Sequence, residues 1–384
     1  MTIALEIVFW VSVGIVVYTY LGYPLLLSVT QFFCRRQASA IDDDYLPSVS
    51  VILAAYNEVD CIAEKIKNCL ALQYPSDRIE ILIGSDASDD GTDEIVRRME
   101  GRRVRFFPCS TRSGKTATVN RLVREATGEV CVFSDVSELF DPDAARKLVR
   151  HFADQNVGLA TGNHIYNRSD TELGTGTSFY WKFKRFLQSC ECRLYSGCTC
   201  DGTIYACRRT LFPFPPDNTI NDDIAIPWGI LSAGKRIVYE PRAIIRGDVL
   251  KETNRFFRQK IRSQAGKYQN FLQFPQLFVP WPLRRWLIVL SHGVLPTLVP
   301  WFMMVAWLAN CVLAFSGSFL YQVMFALQMS FYLAALFGYL AERMRWHVGV
   351  VAIPFYFVTA NLGSLCGFVS YSLRIQRAAW RKVE

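Results

Sequence analysis

Carboxylates recur in this chain wherever a short apolar run stops. Ala55-Tyr56-Asn57-Glu58 closes the run that starts at Val49, and Ser85-Asp86-Ala87-Ser88-Asp89-Asp90-Gly91-Thr92 follows the run from Ile79 to Gly84. Ser134-Asp135-Val136-Ser137-Glu138 ends the run from Val130, and Asn221-Asp222-Asp223 stands further on. A buried parallel strand reads as a continuous apolar run, and open α/β sheets bind ligands at the carboxyl ends of their strands. Acids delivered there can hold a divalent cation against a polyanion, accept hydrogen bonds from a polar ligand, or take up a proton. Adjacent acids such as Asp222 and Asp223 suit the last task, because one raises the pKa of the other towards a useful value. The plainer readings are structural: Asp86 in an Asx-type loop, Asp135 as a helix cap, and Asp222 with Asp223 at the start of a helix near Ile224. Asp89 and Asp90 read as turn residues.

The elements that would carry these acids alternate. Strands are expected over 49–55, 79–84, 104–107 and 130–134. Helices are expected over 58–72, 92–99, 115–126 (stopped by Gly128) and 143–152. Asp89, Asp90 or Thr92 can cap the second of these helices. Strands that alternate with helices imply a parallel sheet with right-handed crossovers. A further strand is expected from Arg236 to Glu240. Residues 174–196 interleave aromatics with Lys182, Lys184 and Arg185; they fit a helix lying in a membrane interface and equally a surface helix covering the sheet.

Composition points to a mixed protein. The chain has 384 residues, 51% of them hydrophobic, with a mean hydropathy of +0.16. A soluble domain of roughly 200 residues with a few membrane spans fits these values. Ile3 to Phe33 carries one charge, Glu6, and exceeds the ~20 residues a span needs. Neither the basic lead nor the small-residue cleavage site of a signal peptide is present. Arg35 and Arg36 follow it and place that end in the cytoplasm. Three more spans are expected over about 286–315, 319–341 and 348–373. With a cytoplasmic domain, three full spans put Arg374, Arg377, Arg381 and Lys382 outside, against the positive-inside tendency; otherwise one block is re-entrant.

The formal net charge is +8, and residues 251–285 hold eight basic side chains against one acid, Glu252. A basic amphipathic stretch (253–273) just ahead of an apolar block suits anionic lipid headgroups, not nucleic acid. The twelve cysteines do not form a secreted disulfide pattern. Cys190, Cys192, Cys198, Cys200 and Cys207 cluster, but zinc spacings are usually CxxC-like, so reduced structural thiols are the expectation. Ser113-Gly114-Lys115-Thr116 looks like the end of a Walker A loop, yet Cys109 stands where its first glycine is required. Lys115 at a helix start can contact phosphate or be a solvated surface lysine.

As a set, the four motifs resemble the membrane-bound family 2 glycosyltransferases (cellulose, chitin and hyaluronan synthases) over roughly residues 47–270. The resemblance implies an α/β, GT-A-like, Rossmann-type domain inserted between transmembrane helices. The division expected is a transmembrane helix at 1–34, a cytoplasmic catalytic domain at 47–250, interfacial amphipathic helices at 251–285 and transmembrane helices at 286–375, in the inner or plasma membrane. It implies an inverting transfer from a nucleotide sugar, expected to be UDP-linked, with a divalent cation (Mg²⁺ or Mn²⁺). The acceptor would be a growing polysaccharide or, alternatively, a lipid-linked glycan or glycolipid. Four spans make a thin channel, so an oligomer or an export partner is expected to help.

Residue by residue, the resemblance makes Asp223 the general base beside Asp222. Tyr56, Glu58 and Asp86 line the nucleotide pocket, and Asp135 lies at the phosphates and the metal. Lys115 belongs to the family's GK segment. Residues 202–206, with Arg208 and Arg209, match its acceptor-side segment. Gln259 and Arg262 match its Q-x-x-R-W at the pyrophosphate and acceptor, or are simply a basic helix face on lipid. Two positions depart from the pattern: Ser137 replaces the second acid of D-x-D, and Ser263 replaces the tryptophan that helps polymerising members hold the acceptor. A transporter or structural membrane protein with an inactive α/β domain is the reading from a different class; acids at four strand ends argue against it.

Overall fold

The computed structural model of the chain describes residues 2–33, 41–166, 172–247, 253–280, 282–344, 346 and 349–376. Arg35, Arg36, Lys251, Glu252, Arg377, Arg381 and Lys382, which carry part of the charge argument above, lie outside the described residues.

Eight strands form one sheet in the order β3-β2-β1-β4-β7-β6-β8-β5. Its first half is β1 (Val49–Ala55), β2 (Ile79–Ser85), β3 (Val104–Pro108) and β4 (Val130–Ser134), all parallel. The mostly apolar runs explain this half: β1 is buried at every position, with apolar residues on one face in one core cluster and apolar residues on the other in a second. The connecting helices α3 (Ile62–Leu70), α4 (Thr92–Arg98) and α5 (Lys115–Glu125) cover the faces.

The second half corrects the expectation of a parallel sheet. β7 (Ile204–Arg208) runs antiparallel to both β4 and β6 (Val157–Tyr166). β8 (Arg236–Gly247) pairs with β6 in parallel, and the short β5 (Leu139–Phe140) closes the edge antiparallel to β8. β6 escapes a propensity reading because Gly158 and Gly162 interrupt it. Both are needed for packing: a Cβ on Gly162 would lie 2.6 Å from the Ala243 carbonyl oxygen, and one on Gly158 would lie 2.7 Å from Ile230 Cγ2. α6 (Ala144–Val149) continues as a 3₁₀ turn at Arg150–Ala153, and α8 (Asp222–Ser232) precedes β8.

The expected helix over 58–72 starts later, at Ile62. The reason is local. The Glu58 N–H donates to Thr92 Oγ1 (2.9 Å) and the Val59 N–H to Asp90 Oδ2 (3.1 Å), so these donors are committed to the neighbouring loop.

Four helical stretches among the described residues are long and apolar enough to cross a membrane: Ile3–Gln31, Leu283–Ala314, Phe319–Arg343 and Gly349–Ser372. The first comprises α1 (Thr2–Val17), a π-helical turn at Tyr18–Gly22 and α2 (Tyr23–Phe33). The second comprises α10 (Leu283–Ile288), a π-helical turn at Val289–Val294 and α11 (Leu295–Ala314); α12 (Phe319–Arg343) and α13 (Ala352–Ser372) complete the set. The two π turns meet, with Tyr18 Oη and Ser291 Oγ 2.8 Å apart.

Two further helices join the spans to the sheet. α7 (Glu172–Leu194) is the aromatic-basic stretch, and it packs on α2, α13 and β8, so it rests on the spans as well as on the sheet. Tyr23 and Leu27 of α2 are buried against Leu187 and Cys190 of α7. α9 (Thr253–Gln273) lies along α13, where its backbone at Ala265 comes within 3.0 Å of a Cβ built on Gly367.

Candidate active site

The β1 and β2 ends interlock. Asn57 takes a left-handed φ of 54° and Ala87 one of 59°. The Asn57 amide donates to Asp89 Oδ1 (2.8 Å) and accepts from the Asp89 N–H (3.1 Å), while Asp90 Oδ1 receives the Thr92 N–H (3.0 Å) ahead of α4. Asp89 and Asp90 are turn residues, as read from the sequence.

Asp86 is 1% exposed, and both its oxygens are engaged. Oδ1 accepts from the Ser113 N–H (2.6 Å) and hydroxyl (3.1 Å), and Oδ2 accepts from the Gly114 N–H (3.0 Å). Asp86 thereby sets the loop that starts α5, and with it the position of Lys115. Gly114 serves here with φ 94°, a conformation open to glycine. The Arg112 guanidinium lies 3.5 Å from the centre of the Tyr56 ring, and Glu58 is buried behind with the Cys61 thiol at 3.1 Å. Tyr56, Glu58 and Asp86 therefore share one end of the sheet.

Lys115 donates to Asp135 Oδ1 at 2.7 Å. Burial alone would lower its pKa, but Asp135, Asp222 and Asp223 raise it well above the ordinary lysine range. Four of the residues singled out in the sequence are thus brought into one electrostatic group. Asp223 lies in the first turn of α8 and keeps part of its surface open. Its carboxyl is pushed up to about 7, first by burial, then by Asp222, with Lys115 opposing and Asp135 and Asp201 adding to the rise. No side-chain cap bond is made at this helix start; Asn221 is the cap residue and the two acids follow it.

The pair is held from both sides. A Cβ on Gly202 would lie 1.9 Å from Asp223 Oδ1, so only glycine lets the β7 lead-in approach. Asn221 Nδ2 donates to the Ser263 carbonyl and hydroxyl (3.2 Å each), and Asn270 donates to the Asn221 carbonyl (3.0 Å). Ser263, where the resembled family carries tryptophan, is therefore a prop for the acidic turn. Gln259 is exposed and Arg262 half-buried on the same helix. Among the described residues, their side chains make none of the hydrogen bonds or ion pairs that join the acidic group.

Three supports were not singled out in the sequence. Lys65, fully buried in α3, donates to Ser134 Oγ (2.7 Å) and the Glu138 carbonyl, with its pKa lowered to about 8 by burial. It anchors the turn that carries Asp135. His164 Nε2 stands 3.1 Å from Glu138 Oε2, and Thr203 Oγ1 is 3.2 Å from His164 Nδ1 and 2.9 Å from Asp201 Oδ1. A buried lysine carries no sequence signal beyond breaking an apolar helix face. Asp201, beside Gly202, was visible only as part of a Cys-Asp-Gly string.

A hard cation takes oxygen donors. Asp135 offers a half-exposed carboxylate, and the exposed Ser137 hydroxyl is two residues on. This donor set fits a cation that draws its remaining ligands from phosphate and water. Among the described residues, Cys198 is the clustered cysteine whose thiol joins a group of three ligand-type atoms within 4.8 Å of one another, with Glu191 and His292. That carboxylate already accepts from Tyr23 Oη (2.7 Å) and meets His292 Nδ1 (2.9 Å).

A parallel half-sheet with its acids at the carboxyl edge, flanked by long apolar helices, is a GT-A-like glycosyltransferase architecture. Residues 50–212 match the family described as Glycosyl transferase family 2. It is 26% identical over 239 residues to the poly-beta-1,6-N-acetyl-D-glucosamine synthase of Staphylococcus aureus (strain MSSA476), covering 61% of this chain and 58% of that protein. The synthase of the same name from Staphylococcus epidermidis is 25% identical over 231 residues, covering 59% and 56%. The chain thus spans under two thirds of the length of these curated relatives. The fold matches that of the mannosyltransferase PcManGT from Pyrobaculum calidifontis, solved in complex with GDP-Man and Mn²⁺. That match has a TM-score of 0.72 over 94% of this chain and 99% of that one, at 24% identity.

Proposed function

We propose that this protein is a membrane-embedded inverting glycosyltransferase that moves a sugar from a UDP-linked donor to a growing polysaccharide. The observation that carries the reading is the Asp135–Lys115–Asp222–Asp223 group, assembled at the carboxyl edge of the sheet inside a family 2 domain. The likeness to the synthases supports polymer as product, and the manganese in the structural neighbour's complex supports a divalent cation.

In this reading residues 1–34 and 286–375 anchor the chain in the inner or plasma membrane. Residues 47–250 form the catalytic domain on the cytoplasmic side, and 251–285 lie at the interface. Tyr56, Glu58 and Asp86 line the nucleotide end, with Asp86 acting also through the 113–114 loop. Lys115 and Asp135 face the pyrophosphate. Asp135, with Ser137 beside it, would hold the cation, which supplies positive charge against the departing diphosphate. Asp223 takes the proton from the acceptor hydroxyl as that oxygen attacks the anomeric carbon opposite the leaving group. The C–O bond to the diphosphate breaks with one inversion. Asp222 keeps the base poised near neutrality. Gln259 and Arg262 on α9 reach the pyrophosphate and acceptor side, where an arginine can clamp phosphate bidentately.

Ser263 favours a second reading: a single transfer onto a lipid-linked or glycolipid acceptor. In place of an aromatic stacking surface, the chain has a hydroxyl that props Asn221. Product length separates the two. Purified protein is given a labelled UDP-sugar and Mn²⁺, and products are sized. A long polymer supports the first reading, a product one sugar longer than its acceptor supports the second, and no transfer from any nucleotide sugar contradicts both.

A further inference from the structure

A cavity lies away from the carboxylate group, between α7, α2 and the neighbouring strands β6 and β8. Its volume is about 490 Å³, and Gln31, Asn163, Arg185, Ser189, Arg193 and Tyr239 are among its lining residues. Two guanidinium groups line it, and among the described residues no carboxylate does. Arg185 Nη1 donates to Asn163 Oδ1 at 3.0 Å, which fixes one of them. The acids nearest in sequence are turned elsewhere. Glu191 receives Tyr23 and meets His292, while Glu240 takes Arg150, His151 and Arg242. Among the described residues neither Arg185 nor Arg193 makes an ion pair.

The position of this cavity matters as much as its charge. Gln31 is the last residue of the first apolar span. Leu25, Leu26 and Val29 are exposed just before it, as a span facing hydrocarbon requires, and Phe186 is exposed at the cavity itself. Polar and cationic groups gathered at the depth where an apolar span ends lie in the headgroup layer. A guanidinium pairs a phosphate through two parallel hydrogen bonds, and tyrosine, serine and amide groups supply the neutral partners that a glycerol headgroup needs.

We infer that this cavity binds the phosphodiester headgroup of an anionic phospholipid, held by Arg185 and Arg193. The inference rests on the membrane placement proposed above. The site is separate from the donor and acceptor cleft and would couple the seating of α7 against the first span to the lipid around it.

The test uses full-length protein in nanodiscs of phosphatidylcholine mixed with phosphatidylglycerol, with the lipid retained after detergent extraction counted by mass spectrometry. Wild type should retain phosphatidylglycerol over phosphatidylcholine. The Arg185→Gln/Arg193→Gln variant should lose that preference by on the order of 10- to 30-fold, the effect of two cations near an anionic surface. Ser189→Trp fills the cavity with both arginines kept and should lose it as well. Arg98→Gln, on α4 outside the cavity, should not. Equal retention in wild type and both cavity variants, or displacement of the lipid by equimolar free glycerol phosphate, overturns the proposal. Failure of wild type to enter nanodiscs at all overturns the membrane placement itself, a result distinct from insertion without lipid selection.

Discussion

Replacing Asp222 with asparagine separates the two adjacent acids by pH. After burial, Asp222 is the largest influence raising the Asp223 carboxyl to about 7. Neighbouring carboxylates in the first turn of a helix stand roughly 6–8 Å apart, worth about 2 kcal/mol at an effective dielectric near 20. Asp223 is partly open to the cleft, so screening reduces this to about one pH unit. A base must be deprotonated to act. The acid limb of kcat/KM should therefore fall near pH 7 in wild type and about one unit lower in Asp222→Asn. The assay is nucleoside diphosphate release from a UDP-sugar between pH 5 and 9. An unmoved limb, or one displaced upward, refutes the coupling. Complete loss of activity at every pH would show that Asp222 does more than tune its neighbour.

Other expected outcomes follow from the same geometry. Gly202→Ala places a methyl 1.9 Å from Asp223 Oδ1 and should cut kcat by tenfold or more while the fold survives by circular dichroism. Lys65→Met should lower kcat more than it raises the donor KM, because the turn bearing Asp135 loses its anchor; unchanged kinetics would dismiss Lys65 as a positioning residue. Ser137→Asp should lower the Mn²⁺ concentration for half-maximal activity by about tenfold, since carboxylate outranks hydroxyl as a hard-cation ligand. Asp223→Asn should stabilise the protein at pH 8. Between the ordinary aspartate range and about 7 the folded state holds a proton that the unfolded chain has released, so wild-type stability falls as pH rises through that window. The gain is on the order of 1–2 kcal/mol in denaturant titrations, and no gain at pH 8 would contradict the raised pKa.

The parallel half of the sheet was legible because β1, β2 and β4 are mostly apolar runs, each ending in its motif. The antiparallel half was not. β6 is built around Gly158 and Gly162, which tertiary packing requires and strand propensity disfavours, and β5 is two residues long. The acids were visible as types and spacings, but their grouping was not. Nothing in the order of residues says that Lys115 pairs with Asp135, or that Asp86 spends both oxygens on the loop before α5. Ser263 is the clearest case. As a letter it was a missing tryptophan, and in the fold it is the hydrogen-bond partner of Asn221. Cys109 argued against a P-loop from sequence alone; in the fold, Ser113 and Gly114 form the loop ahead of α5 that Asp86 holds.

Everything proposed for this site turns on Asp223 acting as the base of a nucleotide-sugar transferase. The most direct measurement is nucleoside diphosphate release from a panel of nucleotide sugars by the purified protein with Mn²⁺, beside Asp223→Asn. Turnover with a UDP-sugar is expected, with a loss of at least a hundredfold in the variant, the scale of a general base. Equal turnover by both proteins, or none with any donor, would contradict it.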